Sequence, residues 1–203
     1  LTRQLRQRLV NVDLLEEEDF DRPLGVATGA GHIFGVTGGV MEAALRTAYN
    51  FVTGENPDAD AFHEIRSEGP VRGWREKEFQ LPDRTLRIAV ASGLANADAL
   101  CRAIERGEAS YDFVEVMACP GGCVGGGGQP IIEGFNLSAD RGCTLRIIDE
   151  QSELRFSHEN PAVKACYDDF LGEPLSERAE DLLHSDHGDW AMPFRVTADG
   201  TEA

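Results

Sequence analysis

Residues 86–117 read LRIAVASGLANADALCRAIERGEASYDFVEVM, and this run decides the fold. Leu86, Ile88 and Val90 alternate with Ala89 and Ala91, apolar on both faces, as in a strand covered on both sides of a parallel sheet. Ser92-Gly93 turns the chain. Residues 96–106 then place Ala99, Leu100, Ala103 and Ile104 on one helical face, with Gly107 as the stop. Residues 111–117 form a second strand. A crossover this long makes the two strands parallel neighbours in one sheet. The run predicts an α/β fold: a parallel sheet flanked by helices.

Upstream, the first ten residues read as part of a helix, and Glu16 to Asp19 as a solvated charge run. Residues 23–39 carry glycine at positions 25, 29, 31, 35, 38 and 39, a density that weakens regular structure. From Val40 the pattern turns helical: Val40, Ala43, Ala44, Leu45, Ala48 and Phe51 recur near a 3.6 period, with Thr37 as N-cap and Gly54 as stop. A short helix over 61–67 and an edge strand over 76–81 follow. Beyond Pro130 the chain reads as loop up to about His158. Asn160 caps a helix that has Pro161 at its first position and Gly172 after its end. A last helix starts near Ser176 and turns Ala179, Leu182 and Leu183 inward; residues 188–203 read as a loose tail.

The 203 residues include 36 acidic and 19 basic side chains, a formal charge of −17, which disfavours phosphate backbones and hence nucleic acid as a partner. No stretch approaches the ~18 apolar residues of a membrane helix. Five cysteines, an odd number, argue for reduced thiols or metal ligation rather than a disulfide scaffold, and so for a cytoplasmic setting. The chain starts at Leu1, which reads as a cut from something longer.

The second strand runs directly into Cys119-Pro-Gly-Gly-Cys123-Val-Gly-Gly-Gly-Gly-Gln129-Pro130, where six of twelve residues are glycine. Sites in open α/β sheets lie beyond the carboxyl ends of strands, so this loop sits where chemistry is expected. Two thiols separated by three residues can turn toward one centre, and backbone N–H groups can offset the charge on sulfur. An iron–sulfur site explains a loop so poor in side chains. A disulfide between Cys119 and Cys123, or a zinc site with two further ligands, remains open on spacing alone. A phosphate loop is excluded, because Gln129-Pro130 stands where Lys-Ser/Thr would follow.

Met117-Ala-Cys-Pro-Gly-Gly-Cys-Val-Gly-Gly-Gly-Gly-Gln-Pro130 resembles the third signature of the FeFe-hydrogenases. Gly29-Ala-Gly-His-Ile-Phe-Gly-Val-Thr-Gly-Gly-Val-Met-Glu-Ala-Ala-Leu-Arg46 is similar to a glycine-rich helix start in that family. Ser157-His-Glu-Asn-Pro-Ala-Val163, Phe170-Leu-Gly-Glu-Pro-Leu-Ser176 and Leu182-Leu-His184 resemble its small-subunit region. The resemblance divides the chain into 1–150, part of the large-subunit domain, 151–187, small-subunit helices, and the tail. It implies about one lobe of a two-lobed domain, acting in reversible conversion of protons and electrons to H2.

The same resemblance implies an H-cluster, a 4Fe–4S cubane joined to a diiron unit with CO, cyanide and dithiolate ligands. Cys119 and Cys123 would be two of the four cubane ligands, and Cys123 would also bridge to the diiron unit. Met117 would pack against the diiron side and Phe34 would wall the pocket. The family's Thr-Ser-Cys-Cys-Pro and Met-Pro-Cys signatures, which carry the other two ligands, a proton-relay cysteine and a lysine, are absent. They are expected before Leu1, in a missing N-terminal part or companion subunit. Electron carriers would be ferredoxin-like or NAD-linked. A hydrogenase-like iron–sulfur protein without catalysis, acting in cluster assembly or sensing, is the alternative.

The remaining candidates read as structural. Cys101 and Cys166 are expected as small buried hydrophobes on helices, and Cys143 as an exposed thiol in a loop. His184 and His187 stand near Asp186 and Asp189 without a third ligand in evidence. Trp74 and Trp190 read as ordinary packing, Asp168 and Asp169 as solvated, and His32 stands where the family commonly has an aliphatic residue.

Overall fold

A computed structural model describes residues 2–19, 21, 25–66, 73–81 and 84–185. Its centre is a three-stranded sheet of order β1-β2-β3, made of β1 Trp74–Gln80, β2 Thr85–Ser92 and β3 Phe113–Met117. Helix α4, Leu94–Glu105, makes the expected crossover, and β2 pairs parallel to β3 from Ile88↔Phe113 to Ser92↔Met117. The sheet as a whole is mixed, because β1 runs antiparallel to β2, from Trp74↔Ala91 to Gln80↔Thr85. Only four residues separate β1 from β2, and so short a link closes only an antiparallel pair.

The side-chain alternation along β2 sorts the core. Ile88 and Val90 face α3, Gly39–Thr53, and bury with Met41, Leu45, Phe62 and Ile65. Ala89 and Ala91 face the other way and bury with Leu100 of α4, where two methyl groups let the helix approach closely. Each fully buried Ile, Leu or Met here contributes about 1.5–3 kcal/mol of apolar transfer. The buried stripe of α4 is narrower than its sequence suggests: Leu100 and Ala103 are buried, Ile104 is 40% exposed, and Cys101 is exposed.

The helix expected in the first ten residues is present as α1, Thr2–Gln7, and two more lie where none was expected. α2, Gly29–Ile33, occupies the glycine-rich stretch, capped by the Thr28 hydroxyl accepting from Gly31 N at 3.3 Å. α5, Ser138–Gln151, fills much of the expected loop, and Cys143 is an exposed thiol on it rather than in a loop. The buried residues of α5 are Ser138, Gly142 and Asp149, so its inner face carries no apolar period. Between 61 and 66 there is one 3₁₀ turn, His63–Ile65, in place of a helix.

The N-terminus of α3 is capped from an unexpected direction. Gly38 holds the cap position, and the buried carboxylate of Glu115 on β3 accepts from Gly38 N at 2.6 Å and Met41 N at 2.7 Å. Thr37 instead donates its hydroxyl to Ser92 Oγ, 3.2 Å away. Gly54 ends the helix as expected, while Phe51 is largely exposed and the charged Glu42 and Arg46 are buried. Downstream, Asn160 caps α6, Pro161–Cys166, with its side chain accepting from Ala162 N and Val163 N. A π-helical turn, Tyr167–Leu171, carries that helix to Gly172. Cys166 is half-buried. In α7, Glu177–Leu183, Ala179 is buried but Leu182 and Leu183 are both more than half exposed. The expected tail lies outside the described residues.

Candidate functional site

β3 delivers its last residue, Met117, beside Ser92 at the carboxyl end of β2, where Gly93 N donates to Met117 O at 2.7 Å. Ser92 Oγ then organises the loop that follows. It donates to Cys119 O at 3.2 Å and accepts from Gly121 N at 2.9 Å and from the Thr37 hydroxyl. One largely buried hydroxyl thus ties the strand end, the cysteine loop and the glycine-rich turn together.

The two loops also join through their backbones. Thr37 N donates to Gly121 O at 3.2 Å, and Val124 N to Gly35 O at 3.1 Å. Gly122 sits in this seam with φ 95° and ψ −168°, a region essentially reserved for glycine. A Cβ there would lie 2.7 Å from Gly35 O and 2.8 Å from Thr37 N. Val124 anchors the loop from below, buried with Ala30, Ile33, Val36 and Ala43 and touched by Leu145 of α5.

The expected site residues gather at this end of the sheet. Cys119 and Met117 are half-buried, Cys123 is exposed, and Phe34, 45% exposed, precedes the turn at Gly35 that meets the loop. All five cysteines are free thiols. Gly126 leaves room for the Cys119 thiol: a Cβ on it would stand 3.0 Å from Cys119 Sγ. A soft thiolate pair on a loop without competing side chains suits iron–sulfur ligation. Among the described residues no group of three or more His, Cys, Asp or Glu side chains is close enough to hold a metal ion, so these thiols are a partial donor set. The loop's N–H groups are less free than the glycine content suggests. Those of Gly121, Gly122, Val124, Gly125, Gly126 and Gln129 donate to protein oxygens.

A network of ion pairs joins α3 to α5, the helix whose Leu145 packs with Val124 of the loop. Arg46, fully buried, makes a two-pronged contact with Asp149 of α5 at 2.9 and 2.8 Å and a third with Glu42 at 2.8 Å. Arg155 adds a bond to Asp149 at 2.7 Å and reaches Asp60, and Arg66 joins Glu42 to Asp60. Burial pushes the Asp149 carboxyl up, but hydrogen bonds from Arg46 and Arg155 overcome it and leave it below the ordinary range. Hydrogen bonding to Arg155 first, and then to Arg66, holds Asp60 down at about 2. Burial raises the Glu115 carboxyl, against the pull of its two backbone donors.

Ser92, Thr37 and Glu115 escaped the sequence reading as parts of this site, as did the Arg46–Asp149 pair that braces α3 against α5. Glu115 left a signal, an acid amid the apolar residues of Phe113–Met117. His184 pairs with Glu180, one turn earlier on the same helix. Its proposed neighbours Asp186, His187 and Asp189, like Trp190, lie outside the described residues. Trp74 packs beside Ala89 and Ala91 and donates to Tyr111 Oη at 2.8 Å.

Comparison with known proteins adds to this geometry. Residues 1–127 match the family described as iron-only hydrogenase large subunit, C-terminal domain, and residues 137–190 match iron hydrogenase small subunit. The chain is 47% identical over 189 residues to the NADP-reducing hydrogenase subunit HndD of Solidesulfovibrio fructosivorans, covering 91% of this chain and 32% of that one. It is also 32% identical over 161 residues to cytosolic iron-sulfur assembly component 3 of Mus musculus, covering 78% and 32%. Among solved structures, the FeFe-hydrogenase HydA1 of Chlamydomonas reinhardtii superposes with a TM-score of 0.66 at 40% identity, over 89% of this chain and 51% of that one. The chain spans about a third of the length of these curated relatives. Matched over more than half its residues by the large-subunit domain and over its C-terminal part by the small subunit, the chain belongs to the iron-only hydrogenase family.

Proposed function

We propose that this chain forms part of a hydrogenase and supplies two of the four cubane thiolates of an H-cluster, Cys119 and Cys123. The observation that carries the reading is the loop itself. Two free thiols stand just beyond β3, on a backbone locked to the turn at residues 35–37 by two hydrogen bonds and the Ser92 hydroxyl. When bound, the cluster supplies electron transfer and the joining of two protons with two electrons to H2. The chain's own residues hold and enclose it. Cys123 would link cubane and diiron unit, Met117 would lay its thioether on the diiron side, and Phe34 would close the pocket against water. An apolar lining of this kind tunes potential as well as access.

The other two thiolates would come from an N-terminal part or companion subunit, and electrons from a ferredoxin-like or NAD-linked carrier in the cytoplasm. Residues 1–150 would serve as the cluster-bearing part and 151–187 as the small-subunit helices around it. No helix among the described residues is long and apolar enough to cross a membrane. Similarity to an iron–sulfur assembly component keeps a second reading in view, a cluster-binding protein without hydrogen chemistry.

One experiment separates the two. The complete protein, produced with its maturation machinery, should show infrared bands of iron-bound CO and cyanide and should evolve H2. Iron and sulfide without those bands would favour the assembly reading. The 203-residue chain alone should show no such bands, because its thiols are a partial donor set.

A further inference from the structure

The inner flank of the cysteine loop is fastened by Ser92 and the glycine turn. A guanidinium from α5 holds the loop as well. Arg141, half-buried in the first turn of α5, donates from Nη1 to Val124 O at 2.9 Å and from Nη2 to Pro130 O at 2.5 Å. Val124 directly follows Cys123, and Pro130 closes the glycine run, so this side chain bridges both ends of residues 125–129. Four of those five residues are glycine, the residue that loses most conformational freedom on ordering. A planar fork with fixed donor geometry suits the task, and a lysine ammonium does not reproduce it.

The position of this charge matters as much as its hydrogen bonds. With Gly35, Cys123, Gln129 and Leu145, Arg141 lines a cavity of about 360 Å³. Both terminal nitrogens are engaged by neutral carbonyls, so these contacts leave its positive charge uncancelled beside Cys123. That charge stands out in a chain of net −17, and most of the loop's N–H groups are already used to hold the loop together. Reduction adds negative charge to a cluster, and a nearby fixed cation favours the reduced form.

We propose that Arg141 is a positioning residue for the cluster site: it fixes the path of residues 124–130 and raises the reduction potential of a cluster held at Cys123. The proposal rests on Cys119 and Cys123 being cluster ligands. It is tested in the complete protein with Arg141→Gln, which removes the charge, and Arg141→Lys, which keeps the charge and loses the fork. Two readouts are followed: amide hydrogen exchange at residues 125–129 before cluster loading, and the cluster midpoint potential from a redox titration followed by electron paramagnetic resonance.

Both variants should exchange those amides at least tenfold faster than the unmodified protein. Arg141→Gln should raise the oxidised-to-reduced ratio at the original midpoint about tenfold, which is about 59 mV for a one-electron couple. Arg141→Lys should stay within a third of that shift. An unmoved midpoint in Arg141→Gln, or equal shifts in both variants, would overturn the proposal. Should Arg141→Gln fail to load a cluster, unchanged exchange in Arg141→Lys overturns it equally. The ligand assignment fails separately, by iron retained in Cys123→Ala. Iron lost there with an unmoved midpoint in Arg141→Gln removes only the role of Arg141.

Discussion

Gly122→Ala strikes the seam between the cysteine loop and the glycine turn. Its φ of 95° and ψ of −168° cost a non-glycine residue about 1–3 kcal/mol before any contact is counted. The new methyl group would stand 2.7 Å from Gly35 O, 2.8 Å from Thr37 N and 2.9 Å from Val36 C, all backbone atoms without a rotamer to yield. Relief requires the loops to part. That breaks Thr37 N to Gly121 O and Val124 N to Gly35 O, each worth about 0.5–1.5 kcal/mol net. The expected loss is about 2–6 kcal/mol, read as a fall in the urea midpoint of the cluster-free protein and as lost iron after maturation. Gly127→Ala is the control in the same loop, because a Cβ there meets nothing within 4 Å and its φ is not in the left-handed region. It should stay within about 0.5 kcal/mol of the unmodified protein. Equal midpoints and equal iron in the two variants would refute the seam.

Asp149→Ala leaves the fully buried Arg46 without its two-pronged partner and should cost about 3–5 kcal/mol, a melting-temperature drop of roughly 6–20 °C by calorimetry; a change below 2 °C would contradict it. Acid should destabilise the cluster-free protein in a set order. Asp60 and Asp149 have lowered carboxyls, so their stabilisation is complete above the unfolded carboxylate range near ~3.9 and is lost as pH falls toward the Asp60 value of about 2. Glu115, raised by burial, contributes in the opposite sense: its share is present at low pH and is lost as pH rises through its folded value. Urea midpoints followed from pH 7 to 2 should therefore fall mainly below pH 4, and Asp60→Asn should flatten that fall; an unaltered slope in that variant would count against the network. Cys101→Ser, on an exposed thiol, should change stability by less than about 0.5 kcal/mol in the same assay, where a buried thiol would have cost more.

The parts of the fold legible in the sequence are those specified by neighbours along the chain. β2 announced itself by apolar residues on both faces, and α6 by Asn160, Pro161 and Gly172. α5 did not, because two of its three buried residues, Gly142 and Asp149, meet partners far away in sequence. Asp149 meets Arg46 across 103 positions, and a Cβ on Gly142 would stand 3.1 Å from a Val36 methyl group. The cap of α3 failed for the same reason: Thr37 has the right chemistry, but Glu115 arrives from β3 with two oxygens and takes the helix N-terminus. Cys101 shows the limit of a helical wheel: of the face expected to turn inward only Leu100 and Ala103 are buried, while Ala99, Cys101 and Ile104 are exposed.

For the site, the cysteine loop and its place after a strand were readable, and the motif resemblance pointed to the family that the comparisons show. Its fastenings were not. Ser92 looked like a turn residue and Arg141 like part of a loop, and only the folded chain brings both onto the carbonyls that shape residues 119–130. Glycine content also misled in one respect, because most of the loop's backbone donors are engaged by protein oxygens, some in the loop and some in the neighbouring β2 end and glycine turn.

The most direct test of the central claim is the iron content and infrared spectrum of the complete, matured protein carrying Cys119→Ala, Cys123→Ala or Cys143→Ser in turn. The account predicts that either alanine variant loses most of its iron and the CO and cyanide bands, while Cys143→Ser, altered at an exposed helical thiol, keeps both. Full iron and unchanged bands in Cys123→Ala would contradict it.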